Sequence, residues 1–149
     1  MASVLIVEAT AADAAALAAL WEACGLTRAW NPPARDIALA QAQDNAAILL
    51  ARRGETPVDA PIVGGAIVGS VMVGFDGHRG WVYYLAVAPD ARRGGLGRAL
   101  MQAAEMWLRA RGAPKIQLMV RDGNDAALAF YRALGFADQP VAVLGRMLD

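Results

Sequence analysis

A strand-like run, Trp81-Val-Tyr-Tyr-Leu-Ala-Val-Ala88, leads through Pro89 into the turn Arg92-Arg-Gly-Gly-Leu-Gly-Arg98, and a long helical pattern starts at Leu96. An apolar strand, a cationic glycine turn and a helix N-terminus, in that order, can hold a pyrophosphate without a metal. The glycines free backbone N–H groups to converge on the anion, and the positive end of the helix dipole adds to them. Further along, Asn124 and Tyr131 stand two helical turns apart and so share a face, with Ala127 beside them. An amide and a phenol on one face can bond a polar chain and donate a proton. His78 is the only histidine of the chain, and with Asp76 it lies in the short stretch Asp76-Gly-His-Arg-Gly80; imidazole is a side chain type suited to proton transfer. Trp30 and Asn31 precede two prolines, a position that is hard to bury in a regular element.

The elements that must position these groups can be read from periodicity and breakers. Residues 4–8 read as a strand and residues 11–24 as a helix, with Thr10 as N-cap, Asp13 three residues on and Gly25 as the stop. The Trp30–Pro33 segment is a turn, and a second helix follows over 34–43. Strands are predicted at 48–52, 67–75 and 81–88. A Pro- and Gly-bearing loop at 54–61 and a tight Asp-Gly connection at 76–80 separate them, the latter marking an antiparallel hairpin. Apolar residues at 96, 100, 103, 104, 107 and 108 predict a helix over 96–111, with Trp107 in the core. A strand at 116–120, a helix at 125–134 and a last strand at 141–148 complete the pattern. Together they predict one α/β domain over residues 1–149, with a mixed, mostly antiparallel central sheet flanked by helices.

Composition narrows the function classes. The 149 residues carry 14 basic and 14 acidic side chains, so no basic excess points to nucleic acid. Cys24 is the single cysteine, which excludes an internal disulfide or a cysteine metal cluster, and no metal is expected. No window approaches a membrane span, and the N-terminus lacks a basic leader, so the expectation is a cytoplasmic protein with no membrane partner.

The glycine turn has competing readings. Gly95-Leu-Gly97 supplies half of a dinucleotide fingerprint, and Asp122 follows at a distance suited to a ribose contact. Leu100, however, stands where a third small residue belongs, and too little chain follows for a doubly wound sheet. A nucleotide P-loop needs a lysine that the turn lacks. An ordinary strand–helix bend needs neither three glycines nor the flanking Arg92, Arg93 and Arg98.

The remaining reading, coenzyme A, rests on a resemblance. Arg92-Arg-Gly-Gly95-Leu-Gly97 resembles the Arg/Gln-x-x-Gly-x-Gly/Ala pattern of the GNAT family of N-acetyltransferases, and Tyr84–Pro89 resembles the strand before it. Asn124-x-x-Ala127-x-x-Phe130-Tyr131-x-x-Leu134-Gly135-Phe136 resembles the second diagnostic segment of that family. Trp21-Glu22, Arg28-x-Trp30-Asn31, Phe75–Gly80 and Tyr83-Tyr84-Leu85 are similar to a YpeA-like bacterial subgroup.

The resemblance implies a GNAT-like acyl-CoA N-acyltransferase fold and direct acetyl transfer from acetyl-CoA to a primary amine. It implies that Arg92, Arg93, Gly94, Gly95, Leu96, Gly97 and Arg98 hold the pyrophosphate, and that Leu85, Ala86 and Val87 bond the pantetheine arm and the thioester carbonyl. Asn124, Ala127 and Tyr131 would line that arm, and Tyr131 would protonate the departing thiolate. The position aligned with a common glutamate base is Met119, so the base stays open between Asp76, His78, Glu22 and a water chain. Trp21, Trp30, Asn31, Asp76, Tyr83 and Tyr84 are candidates for the acceptor pocket, with core packing the competing reading for Trp21. Cys24 lies far in sequence from both motifs, which speaks against a covalent acetyl-enzyme. The acceptor is expected to be a small amine or amino-acid-like metabolite, with a protein N-terminus or lysine as the alternative. A coenzyme A-binding module without turnover is a reading of another class. Dimers are common in the resembled family, so a homodimer is a further expectation.

Overall fold

The structure, a computed structural model, describes residues 3–54 and 66–148. They form two compact units, one running to Leu118 and the other starting at Met119.

The first unit is built on a five-stranded sheet in the order β1-β2-β3-β4-β5. The strands are β1 (Ser3–Glu8), β2 (Ala46–Gly54), β3 (Ala66–Phe75), β4 (Gly80–Val87) and β5 (Ile116–Leu118). The first four pair antiparallel, and β4 pairs parallel with β5 from Gly80↔Ile116 to Val82↔Leu118. The expected mixed, mostly antiparallel sheet is therefore present. The loop expected at 54–61 lies, apart from Gly54, outside the described residues.

Helices α1 (Ala14–Ala23) and α2 (Pro33–Gln41) pack on one face of the sheet. A short 3₁₀ turn, Ala11–Asp13, leads into α1, and the Thr10 N–H donates to the Asp13 carboxylate at 2.8 Å, the reciprocal cap predicted from the sequence. Leu17, Leu20, Trp21, Ile37 and Ala40 meet Ile48, Leu50 and Ala86 in a buried cluster. Helix α3 (Leu96–Ala110) covers the opposite face through Leu100, Met101, Ala104 and Leu108. It lies so close that a Cβ on Gly80 would stand 2.5 Å from Leu108 Cδ1. β2 is buried along most of its length because it is central and covered on both sides, which its Ala-Ala-Ile-Leu-Leu-Ala run anticipates. Trp107 is a correction: it is half-buried, off the core stripe, with the Arg111 guanidinium 3.5 Å from its ring centroid.

In the second unit, α4 (Asp125–Ala133) is the one regular element among the described residues. The strand predicted at 141–148 is not formed. A strand needs a ladder, and this unit offers no other strand to pair with. Val141, Val143, Leu144, Met147 and Leu148 are 66–92% exposed, although their alternation looks strand-like. No helix among the described residues is long and apolar enough to cross a membrane.

Candidate active site

Two backbone irregularities, one in β4 and one in the turn between β4 and α3, organise the first unit's site. The first is a bulge in β4. Tyr83 pairs with Met72 and Ala86 with Ser70, so Tyr84 and Leu85 together oppose the single residue Val71. Tyr84 sits at φ +52°, a left-handed conformation rare for a bulky residue. The extra residue reverses the alternation of side chains. Gly80 and Val82 pair with Phe75 and Val73, and Gly80 faces α3; beyond the bulge, Ala86 joins the α1–α2 cluster. Tyr84 is thereby turned off Val82's face and stacks on Trp21, with ring centroids 3.7 Å apart and planes 4° from parallel.

The bulge is held from beneath. Ser70, fully buried, donates its hydroxyl to the Tyr84 carbonyl at 2.9 Å and accepts the Trp21 indole N–H at 2.9 Å. Above it, the Tyr84 hydroxyl donates to Asp36 Oδ2 at 2.5 Å, and the Asn31 amide donates to the same oxygen at 2.9 Å. The Asn31 amide also reaches the Tyr84 hydroxyl at 3.3 Å. Asn31 stays in place because the connection from α1 to α2 is tied to itself. The Arg28 guanidinium donates to the Gly25 and Thr27 carbonyls, and the Asn31 N–H donates to the Arg28 carbonyl. Trp30, next in that loop, is 75% exposed.

The second irregularity is the glycine turn. Arg93 (φ +70°) and Gly95 (φ +78°) are both left-handed, which turns successive N–H groups inward as in an anion nest. Gly95 is the N-cap of α3; no side chain caps that end, and its first turn holds no acidic residue. A Cβ at Gly95 would meet nothing within 4 Å, so the space beside the turn is open. Arg92, Arg93 and Arg98 are exposed around it, and Arg92 Nε donates to the Val87 carbonyl at 3.1 Å, linking the turn to the end of β4. Cys24 Sγ also reaches that carbonyl, at 3.4 Å, so the thiol that is remote in sequence lies beside the last residue of β4.

Asp76 and His78 are not brought to this end. They form the β3–β4 turn, and Gly80 to Val87 spans about 23 Å at the rise of a strand. Asp76 Oδ1 accepts the Arg79 and His78 N–H groups, both at 2.7 Å, and these bonds hold its carboxyl below the usual range. Asp76 therefore closes the hairpin, and His78 is exposed next to it. Tyr83, 42% exposed, has its phenol pushed up first by burial and then by the charge of Asp76. Glu22 is exposed on α1. A cleft of about 280 Å³ between Glu8, Thr10, Gln41 and Ile48 also lies at the hairpin end, away from the glycine turn. Asp36 is the residue that sequence reasoning missed. A position one turn into α2, as an acid near the helix start, reads as dipole compensation, and nothing local signals a partner 48 residues away.

Within the second unit, Asn124 caps α4 by accepting the Ala127 N–H at 3.2 Å. Tyr131 is half-buried, edge-on to Phe130 and Phe136 with centroids at 5.1 and 5.8 Å. Burial raises its phenol above the ordinary value, so it stays protonated.

The first unit is thus a mixed sheet whose bulged fourth strand leads to an arginine-flanked glycine turn at a helix N-terminus. Residues 14–136 match the sequence profile described as "Acetyltransferase (GNAT) family". The chain is 45% identical over 129 residues to acetyltransferase YE1169 of Yersinia enterocolitica, covering 87% of this chain and 84% of that one. It is 44% identical over 136 residues to acetyltransferase ECA0875 of Pectobacterium atrosepticum, covering 91% and 89%. The protein belongs to the GNAT family of acetyltransferases. It is an N-acetyltransferase with acetyl-CoA as co-substrate. Its fold is similar to that of the aminoglycoside N-acetyltransferase AAC(6')-Iy in complex with CoA, with a TM-score of 0.79, 15% identity and coverage of 99% and 96%. It is also similar to that of the ribosomal-protein-S18-alanine N-acetyltransferase of Escherichia coli, with a TM-score of 0.73, 23% identity and coverage of 92% and 79%.

Proposed function

We propose that the chain works as one catalytic domain that transfers acetyl directly from acetyl-CoA to the primary amine of a small, amino-acid-like metabolite. The family match runs continuously through both units, which supports the single-domain reading. The observation that carries the donor side is the open, uncapped, arginine-flanked nest at Gly95, whose shape and charge suit a pyrophosphate. The backbone of Leu85–Val87 bonds the pantetheine arm as a neighbouring strand would, since the ladder with β5 ends at Val82. Asn124, Ala127 and Tyr131 flank the same arm by the family pattern, and the protonated Tyr131 phenol gives its proton to the departing sulfur. Trp30, Asn31 and Tyr84 form the acceptor side, over the Trp21 ring. The Gly25–Asn31 loop beside them is bonded to itself, which suits it to present Asn31 in one position to a small amine. Asp76 and His78 stay outside the reaction, because the strand separates them from the donor turn.

The test joins donor and acceptor. Thiol release from acetyl-CoA is followed with a panel of small primary amines and with peptides bearing free N-termini. Turnover is expected with small amines above the peptides. Gly95→Asp places a carboxylate in the nest and should weaken acetyl-CoA binding by calorimetry at least about tenfold, since a like charge replaces an attractive field. Unchanged affinity refutes the phosphate assignment, and preference for peptides refutes the small acceptor.

A further inference from the structure

We propose that Asp36, held over the β4 bulge by Tyr84 and Asn31, receives the ammonium group of the acceptor and takes its proton; this rests on the transferase reading above. An amine that is cationic at neutral pH cannot attack a thioester until it loses a proton, so the acceptor side needs a carboxylate with a vacant oxygen. Three other carboxylates of the first unit are engaged. Asp13 is paired with Arg52, Glu105 with Arg109, and Asp76 closes the hairpin. Asp36 differs from these. Both of its hydrogen-bonding partners, the Tyr84 phenol and the Asn31 amide, are neutral donors on Oδ2. Among the described residues no basic side chain forms an ion pair with it, and no hydrogen bond reaches its Oδ1. Without an ion pair, it lies half-buried at the end of the Tyr84 side chain that stacks on Trp21, where the lower dielectric strengthens attraction for a cation.

The position suits the reaction. Tyr84 directly precedes Leu85–Val87, the backbone assigned to the thioester. Tyr84 points toward α2 because of the bulge, and the left-handed backbone there is the strain expected at a working site. The ammonium gives one proton to Asp36, and its nitrogen then forms the C–N bond to the acetyl carbonyl carbon as the C–S bond breaks. The sulfur leaves with the electron pair and takes the phenolic proton of Tyr131. The second proton lost by nitrogen and the one held by Asp36 both pass to solvent, which reprotonates the phenol, so one proton is released per turnover.

The experiment compares Asp36→Asn with wild type on two kinds of nucleophile: tyramine and alaninamide as ammonium acceptors, and methoxyamine, which is uncharged at neutral pH, with the uncatalysed rate subtracted. Asp36→Asn should lower kcat/KM for the ammonium acceptors by about 100-fold or more while changing methoxyamine by less than about threefold. Acetyl-CoA affinity by calorimetry should be unchanged, and Asp36→Glu should recover part of the loss. Should the asparagine variant fail to fold, Asp36→Ser, which accepts the same two hydrogen bonds but takes no proton, reads the same difference. Equal slowing of both nucleophiles, or of neither, overturns the role of Asp36 and leaves the transferase reading intact. A wild type that turns over none of the three overturns the transferase reading as well.

Discussion

Ser70→Ala tests the idea that one buried hydroxyl sets the geometry of the site. Ser70 and Trp21 are both 0% exposed, so no water can replace what the hydroxyl does. Removing it strands the Trp21 indole N–H, which donates to it at 2.9 Å, and the Tyr84 carbonyl, which accepts from it at 2.9 Å. A buried polar group left without a partner costs about 1–3 kcal/mol, so two give a loss of about 2–6 kcal/mol. With a urea m-value of about 2 kcal/mol/M, the unfolding midpoint should fall by about 1–3 M at unchanged m. Trp21→Phe in the same background separates the two bonds. With the indole donor gone, the further cost of Ser70→Ala should shrink by about 1–3 kcal/mol, the share belonging to the Trp21 bond. Because the same hydroxyl anchors the left-handed Tyr84, the variant at a temperature where it is folded should lose acceptor kcat/KM before acetyl-CoA affinity. A midpoint within about 0.3 M of wild type, or costs that simply add in the double variant, would refute the reasoning.

Two further outcomes are expected. Gly80→Ala places a Cβ 2.5 and 2.6 Å from the Leu108 methyls and should destabilise by about 1–3 kcal/mol in urea titration; in a Leu108→Ala background, where that clash is gone, most of the penalty should vanish. Tyr131→Phe should lower kcat by about 10–100-fold with acetyl-CoA affinity preserved; a wild-type rate would remove the general-acid role. The phenol pKa of Tyr131 is raised on folding, so its stabilising contribution is present below about pH 10 and fades as pH rises through the folded value; Tyr131→Phe should lack this part of the alkaline loss.

The glycine turn and the helix that it opens were legible in the sequence because their determinants are local. Arg92 to Arg98 is one turn, and glycine spacing with the following apolar period states its conformation almost by itself. The same holds for the Asn124 cap and the reciprocal Thr10–Asp13 cap. The acceptor half joins residues far apart in the chain: Trp21 with Ser70, and Asp36 with Tyr84. Neither pair has any local signature, since a serine in an apolar strand and an acid near a helix start each have ordinary explanations. Asp76 and His78 sit in the β3–β4 turn, at the other end of β4 from the glycine turn. Their chemistry is attractive, but position along a strand, not residue type, decides which end of the sheet a side chain serves. Residues 141–148 show that apolar alternation does not by itself make a strand: they are exposed and form no ladder.

The bulge at Tyr84–Leu85 acts on the chain much as a frameshift acts on a message. Every residue upstream of it in β4 is read in one phase and every residue downstream in the other. A point substitution at Tyr84 alters one side chain. Deleting a single residue there would restore plain alternation and exchange the faces of everything between the bulge and the glycine turn. Ala86 would leave the α1–α2 cluster, and Val87 would turn its side chain toward it. The chain should therefore tolerate shortening or lengthening in the Asp76–Arg79 turn far better than a one-residue change between Tyr83 and Ala86, even though both lie on the same hairpin.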